Sequence, residues 1–232
     1  MSPAESRTAE SSPAGSTSGS PPGRAPAAAF VTFEGVDGAG KSTQLARLAE
    51  ALREAGREVV VTREPGGSPG AEEIRRLLVE GEAHRWSPET EILLFTAARR
   101  DHVERVIQPA LRRGAVVLCD RFADSTRAYQ GAGDAARRAL VDRLHETIIG
   151  IEPGLTLILD LDPADGLARA SERAGAEDRF ERKGAGFQQA LRREFHRLAE
   201  ANPGRCVLID ATGDPDTVAA RILAVAEARG LL

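Results

Sequence analysis

From residue 29 onward the sequence predicts an α/β fold, a parallel sheet covered by helices on both faces. Two observations carry this. Strand-like and helix-like segments alternate along the chain, and the strand-like segments are continuous apolar runs. A strand that is apolar on both faces must be covered on both, which is the pattern of a parallel sheet between helical layers.

The elements follow in order. Ala29–Glu34 (AFVTFE) is a short apolar run that enters glycines, so a strand. Lys41–Ala55 places Leu45, Leu48, Leu52 and Ala55 at helical spacing, and Gly56 stops it. Glu58–Thr62 (EVVVT) is the second strand, and Pro69–Glu80 is a helix with Pro near its start. Ser87 is an N-cap candidate for a long helical region, 88–113, which Pro109 is expected to bend or break. Ala115–Cys119 (AVVLC) is the third strand and Asp134–Ile149 a helix. Leu155–Asp162 (LTLILDLD) is the fourth strand. Helices over Pro163–Arg173 and Gly186–Ala201 flank a polar stretch. Cys206–Asp210 (CVLID) is the fifth strand, and Asp214–Arg229 closes the chain as a helix.

Residues 1–26 are mostly Ser, Pro, Gly, Ala and Thr and cannot build a core, so they read as a disordered extension before a domain over 27–232. They have neither the charged start nor the apolar stretch of a cleavable signal. The 35 acidic residues outnumber the 31 basic ones, for a net charge of −4, which argues against a nucleic-acid-binding surface. No apolar run is long enough for a transmembrane helix, so a cytoplasmic protein without membrane contact is expected. Cys119 and Cys206 read as buried, reduced thiols. The four His show no metal-ligand spacing.

Chemistry begins at Gly35-Val36-Asp37-Gly38-Ala39-Gly40-Lys41-Ser42, which matches G-x-x-x-x-G-K-[ST] with a strand before it and a helix after it. The glycines let successive backbone N–H groups converge on phosphate, and the helix N-terminus adds partial positive charge. Lys41 can reach the β and γ phosphates, and the Ser42 hydroxyl can ligate Mg²⁺. Residues 35–43, through Thr43, are thus the expected ATP-binding segment. An acid in the middle of an anion cradle, Asp37, needs a separate explanation.

Three further stretches bear on the reaction. Thr62–Gly67 (TREPGG) is turn chemistry by itself. Asp120-Arg121-Phe122 ends the third strand and leads into Ser125–Gly131 (STRAYQG), read as a loop. Ligands of open parallel sheets bind beyond the carboxyl ends of the strands, so these segments should converge with the phosphate loop. Arg121 is placed either to hold a second phosphate or to form a surface ion pair. Phe95 and Arg99 share one helix face four residues apart. They could stack on and hydrogen-bond a base, although a Phe on a helix is more often core.

In order along the chain, GVDGAGKS, TREPGG, LLFTAAR, DRF with STRAYQG, and LDLDP followed by DRFE resemble bacterial thymidylate kinase, a nucleoside monophosphate kinase. The resemblance runs from about Phe30 to the C-terminus. It implies transfer of the ATP γ-phosphate to dTMP, with Mg²⁺, in a homodimer whose five-stranded parallel sheet has the order 2-3-1-4-5. It implies that Phe95 stacks on thymine and that Arg99 reaches its exocyclic oxygen. Thr126 and Gln130 would meet the base edge, Tyr129 would crowd the sugar 2′ position, and Asp37 would accept the 3′-hydroxyl. Arg75 and Arg121 would bind the dTMP phosphate. Glu64 belongs to the same contact set, and Glu64–Pro65 would be a cis peptide. Asp120 is a candidate metal partner through water. Phe122 stands where many relatives carry Tyr or His and is expected to pack. The adenine would lie near Ala211–Asp214.

Phosphoryl transfer requires in-line positioning and neutralised charge, with little need for a general base. Lys41 and Arg121 are the first cations for it. Some thymidylate kinases carry a further arginine inside the phosphate loop, but here that loop has none. A lid over about 173–185, rich in Gly and charge, is the expected source, with Arg173 and Arg179 as catalytic candidates and Arg169 behind them. The rival readings are a deoxynucleoside kinase, with Glu34 or Asp37 as base, a different nucleoside monophosphate kinase, and a P-loop switch or ATPase. The guanine-reading N-K-x-D and the switch D-x-x-G are missing from suitable places, which counts against the switch.

Overall fold

A computed structural model describes residues 29–82, 85–171 and 185–232. The tail over 1–26 and the lid arginines Arg173 and Arg179 lie outside the described residues. Among the described residues five strands form one parallel sheet: β1 (Phe30–Gly35), β2 (Val59–Arg63), β3 (Val116–Asp120), β4 (Leu155–Asp160) and β5 (Cys206–Asp210). Their order is β2-β3-β1-β4-β5, as the resemblance implied.

Successive side chains of a strand face opposite sides, and both sides of the central strands are apolar. Val31 and Phe33 pack with Leu45, Leu48 and Leu52 of α1 (Lys41–Glu54), Phe195 and Leu198 of α8 (Ala185–Ala201), and Val218 and Ile222 of α9 (Pro215–Ala228). On the other face Phe30, Val117 and Cys119 meet Val103, Ile107, Ala110 and Phe122. The edge strand β2 is only half covered, and its Val61 is exposed. Cys119 and Cys206 are free and buried.

The remaining helices are α2 (Pro69–Val79), α3 (Pro88–His102), α4 (Gln108–Arg112), α5 (Ala123–Tyr129), α6 (Ala135–Leu144) and α7 (Pro163–Ser171). Ser87 caps α3 by accepting from the N–H of Thr90, and Asp134 and Asp214 cap α6 and α9 in the same way. Pro109 neither breaks nor ends its helix. A π-helical turn, Val103–Ile107, joins α3 to α4, with the Gln108 N–H reaching back to the Val103 carbonyl. The wider turn accommodates a residue that lacks an N–H and would crowd a tighter coil.

Two further expectations are corrected. The fourth strand ends at Asp160, where its pairing with β5 stops, so Leu161 and Asp162 lie past it. The STRAYQG stretch is helical over most of its length, because α5 begins directly after Phe122. Its short Ser/Thr-rich run, ending in Gly, gave too few residues for a helical period to show.

Candidate active site

The carboxyl ends of β1, β3 and β2 lie side by side, with Phe33 and Arg63 both paired to Asp120. The loops that leave them therefore meet. The β1 loop curls back tightly, with the Ala39 N–H on the Val36 carbonyl. Gly38 has φ +77°, and a Cβ there would sit 1.9 Å from the Gly166 carbonyl oxygen of α7. That close approach needs glycine. Lys41 is buried and donates to the carbonyls of Gly35 and Val36 at 3.1 and 2.9 Å. Burial, then the nearby Arg121, brings its ammonium pKa down to about 8. Ser42 donates to Asp120 Oδ2 at 2.6 Å. Thr43 follows it, exposed, in the first turn of α1.

Arg121 has φ 69°, left-handed for a residue with a side chain, a conformation costing about 1–2 kcal/mol. Glu34, fully buried at the end of β1, holds the turn. Its carboxylate accepts from the N–H groups of Phe122 and Ser125 and from the Ser125 hydroxyl, at 2.8, 3.1 and 2.6 Å. Burial raises its pKa to about 7. The turned Arg121 donates to Asp37 Oδ1 at 2.6 Å and to Ser125 Oγ at 3.2 Å, with its guanidinium over the Tyr129 ring at 5.2 Å. Burial alone would raise the Asp37 pKa, but Arg121 and Lys41 outweigh it and hold the carboxyl below its usual range.

Asp37, Glu64, Arg75, Phe95, Arg99, Arg121, Thr126, Tyr129 and Gln130 all line one pocket, together with Pro65, Val79, Phe122 and Ser125. Phe95 lines it half-buried, so it is not a core residue. Arg99 is buried, donates to Glu64 Oε2 at 2.7 Å and to Thr126 Oγ1 at 3.0 Å, and lies 5.0 Å over the Phe122 ring. Phe122 packs, its edge against Phe30 at 4.9 Å. Arg75 donates to the carbonyl of Pro65 at 2.5 Å, and the Glu64–Pro65 bond before it is cis, as the resemblance implied. Gln130 reaches the buried Glu91 at 3.4 Å. The Ala211–Asp214 loop follows β5, and Arg221 donates to the Thr212 carbonyl at 2.8 Å.

Sequence reasoning named Glu34 only as the base of a rival reading and missed that it holds the Arg121 turn; its signal was an acid ending an apolar strand. His102, three residues past Arg99 on α3, was missed and left another signal. Gln188 left none: it comes from α8 to donate to Asp37 Oδ2 at 3.0 Å.

A family model described as Thymidylate kinase matches residues 33–222. The thymidylate kinase of Dinoroseobacter shibae is 62% identical over 195 residues, 84% of this chain and 94% of that one. That of Caulobacter vibrioides is 61% identical over 194 residues, covering 83% and 93%. The crystal structure of thymidylate kinase from Ehrlichia chaffeensis is 36% identical, with a TM-score of 0.68 over 85% of this chain and 97% of that one. With the family model matching residues 33–222 and relatives more than 60% identical over more than 80% of its length, this chain belongs to the thymidylate kinase family.

Proposed function

We propose that the pocket receives dTMP and that the P-loop delivers the ATP γ-phosphate to it. The chain catalyses ATP-dependent phosphorylation of dTMP to dTDP. The observation that carries the site assignment is the Asp37–Arg121 pair, 2.6 Å apart. One partner belongs to the donor loop and the other lines the acceptor pocket, so the two phosphates are brought together across it.

In this reading Arg121 and Arg75 bind the acceptor phosphate and lower its repulsion with ATP. Lys41 exchanges its loop carbonyls for phosphate oxygens. Phe95 stacks on the base, Arg99, Thr126 and Gln130 read its edge, and Tyr129 lies against the sugar. Asp37 takes the 3′-hydroxyl. Glu64, with its oxygens engaged by Arg99 and His102, serves by holding Arg99.

The residues beside the loop fit Mg²⁺, because Ser42 Oγ and the Asp120 carboxylate form an oxygen pair of the kind that this ion takes. Ser42 would ligate it directly and Asp120 through water. Bound there, Mg²⁺ would neutralise phosphate charge. Arg173 and Arg179 are assigned to closing over the transferring group.

A homodimer is supported by Leu77 and Leu93, large apolar side chains left exposed on the adjacent helices α2 and α3. No helix among the described residues is long and apolar enough to cross a membrane. The reading remains a cytoplasmic enzyme whose partners are ATP, dTMP and a second copy of itself.

A coupled ADP-release assay with Mg-ATP and dTMP, dUMP, thymidine, AMP or CMP tests the assignment. dTMP should be turned over best. Turnover of thymidine in preference to dTMP would overturn it.

A further inference from the structure

We propose that His102 is a positioning residue for Arg99, acting through Glu64 to fix how the guanidinium is presented to the acceptor base. This rests on Arg99 as a base contact and deepens that role. His102 does not line the pocket. It lies behind it, with no exposed surface, on the same helix as Arg99.

The side chains form a continuous chain, buried except at the half-exposed Thr62. Thr62 Oγ1 of β2 lies 2.7 Å from His102 Nε2, and His102 Nδ1 lies 2.9 Å from Glu64 Oε1. Glu64 Oε2 accepts from Arg99 Nε at 2.7 Å, and Arg99 Nη2 donates to Thr126 Oγ1 at 3.0 Å. The backbone leaves room for it: a Cβ on Gly67 would fall 2.5 Å from both His102 Nε2 and Thr62 Oγ1.

The direction of these bonds follows from donor chemistry. A carboxylate only accepts, so Glu64 takes one donor on each oxygen: Arg99 on Oε2 and the Nδ1–H of His102 on Oε1. The Thr62 hydroxyl, which can donate or accept, orients the ring from its far side. The His donor thereby keeps Arg99 to one oxygen. Without it Oε1 is a buried acceptor lacking its partner, a costly state. The donor already bonded to this carboxylate is Arg99, which would turn to grip both oxygens, since the guanidinium fork matches a carboxylate. That turn withdraws Nη2 from Thr126 and re-aims the group that faces the base.

Two substitutions separate this role from packing. The amide nitrogen of Asn sits where Nδ1 sits in His, whereas that of Gln sits nearer the position of Nε2. His102→Asn keeps the donor to Glu64 despite losing more volume. His102→Gln keeps more volume and loses that donor. In steady-state assays, His102→Gln is expected to raise the dTMP KM about tenfold or more, with the ATP KM unchanged. His102→Asn should stay within about threefold of the native dTMP KM. Equal behaviour of the two, the reverse ranking, or a parallel rise in ATP KM would overturn the proposal.

If His102→Gln fails to fold, Thr62→Val and Thr62→Ser on the half-exposed edge strand replace it. Val should raise the dTMP KM and Ser should not, and two wild-type values would overturn the proposal. Arg99→Ala runs alongside. A native dTMP KM there would overturn the base-contact role itself. A raised KM there beside a native His102→Gln would overturn only the part assigned to His102.

Discussion

Arg121 Nη2 lies 2.6 Å from Asp37 Oδ1, so an arginine just past β3 is tied to the third residue of the phosphate loop. The acid in the anion cradle does not face the cradle. It faces sideways, lining the pocket with Phe95 and Arg99, and its other oxygen accepts from Gln188 of α8. Asp37→Ala is therefore expected to raise the dTMP KM about tenfold and the ATP KM much less, since it frees a charged partner on the acceptor side. Steady-state titration of each substrate checks this. Equal losses would mean that Asp37 only shapes the loop.

Glu34 makes stability depend on pH. Its carboxyl ionises near 4.5 when exposed and near 7 in the fold, because burial disfavours the charge. Between those values the folded chain holds a proton that the unfolded chain has lost. The contribution is fully present below pH 4.5 and is lost as pH rises through 7. Glu34→Gln cannot titrate, so its stability relative to the native chain should improve by roughly 2 kcal/mol between pH 5 and pH 8. Urea melts of both proteins at the two pH values decide it, and parallel shifts would count against the carboxyl.

The loop has no room for an arginine at position 38. A Cβ on Gly38 would lie 1.9 Å from the Gly166 oxygen, at a φ that side chains rarely adopt. Gly38→Arg is expected to lower stability by roughly 1–3 kcal/mol and to reduce kcat, rather than to supply a second catalytic cation. Thermal melting and kcat of the variant test this, and an unshifted melting point would contradict the steric argument.

A further catalytic cation is proposed to come instead from Arg173 or Arg179. Arg173→Ala or Arg179→Ala should lower kcat by roughly 10²-fold or more, near the low end for arginine fingers. Single-turnover rates at saturating dTMP and ATP measure it. Native rates in both variants would remove the lid from the mechanism.

Much of the site was legible because its chemistry is local. The P-loop is eight consecutive residues, and Phe95 and Arg99 are one helical turn apart, so spacing alone puts them together. Glu64 and Arg75 were legible only through the family resemblance, since one lies in a turn and the other on the helix after it. The roles of Glu34 and His102 were not legible. Each acts through a partner 38 to 91 residues away, and no local period records such a contact.

The sequence by itself determined the alternation of strands and helices, the buried sheet and the phosphate loop, because each rests on apolar periodicity or on contiguous glycines. It also determined the cation count of that loop. Only the tertiary structure decided which way Asp37 points, that Arg121 takes a left-handed backbone, and that Glu64 is shared between Arg99 and His102. Those outcomes depend on side chains from α3 and from the loops after β1, β2 and β3 competing for a few hydrogen-bond partners. Such a competition is settled only once the sheet has brought them within 3 Å of one another.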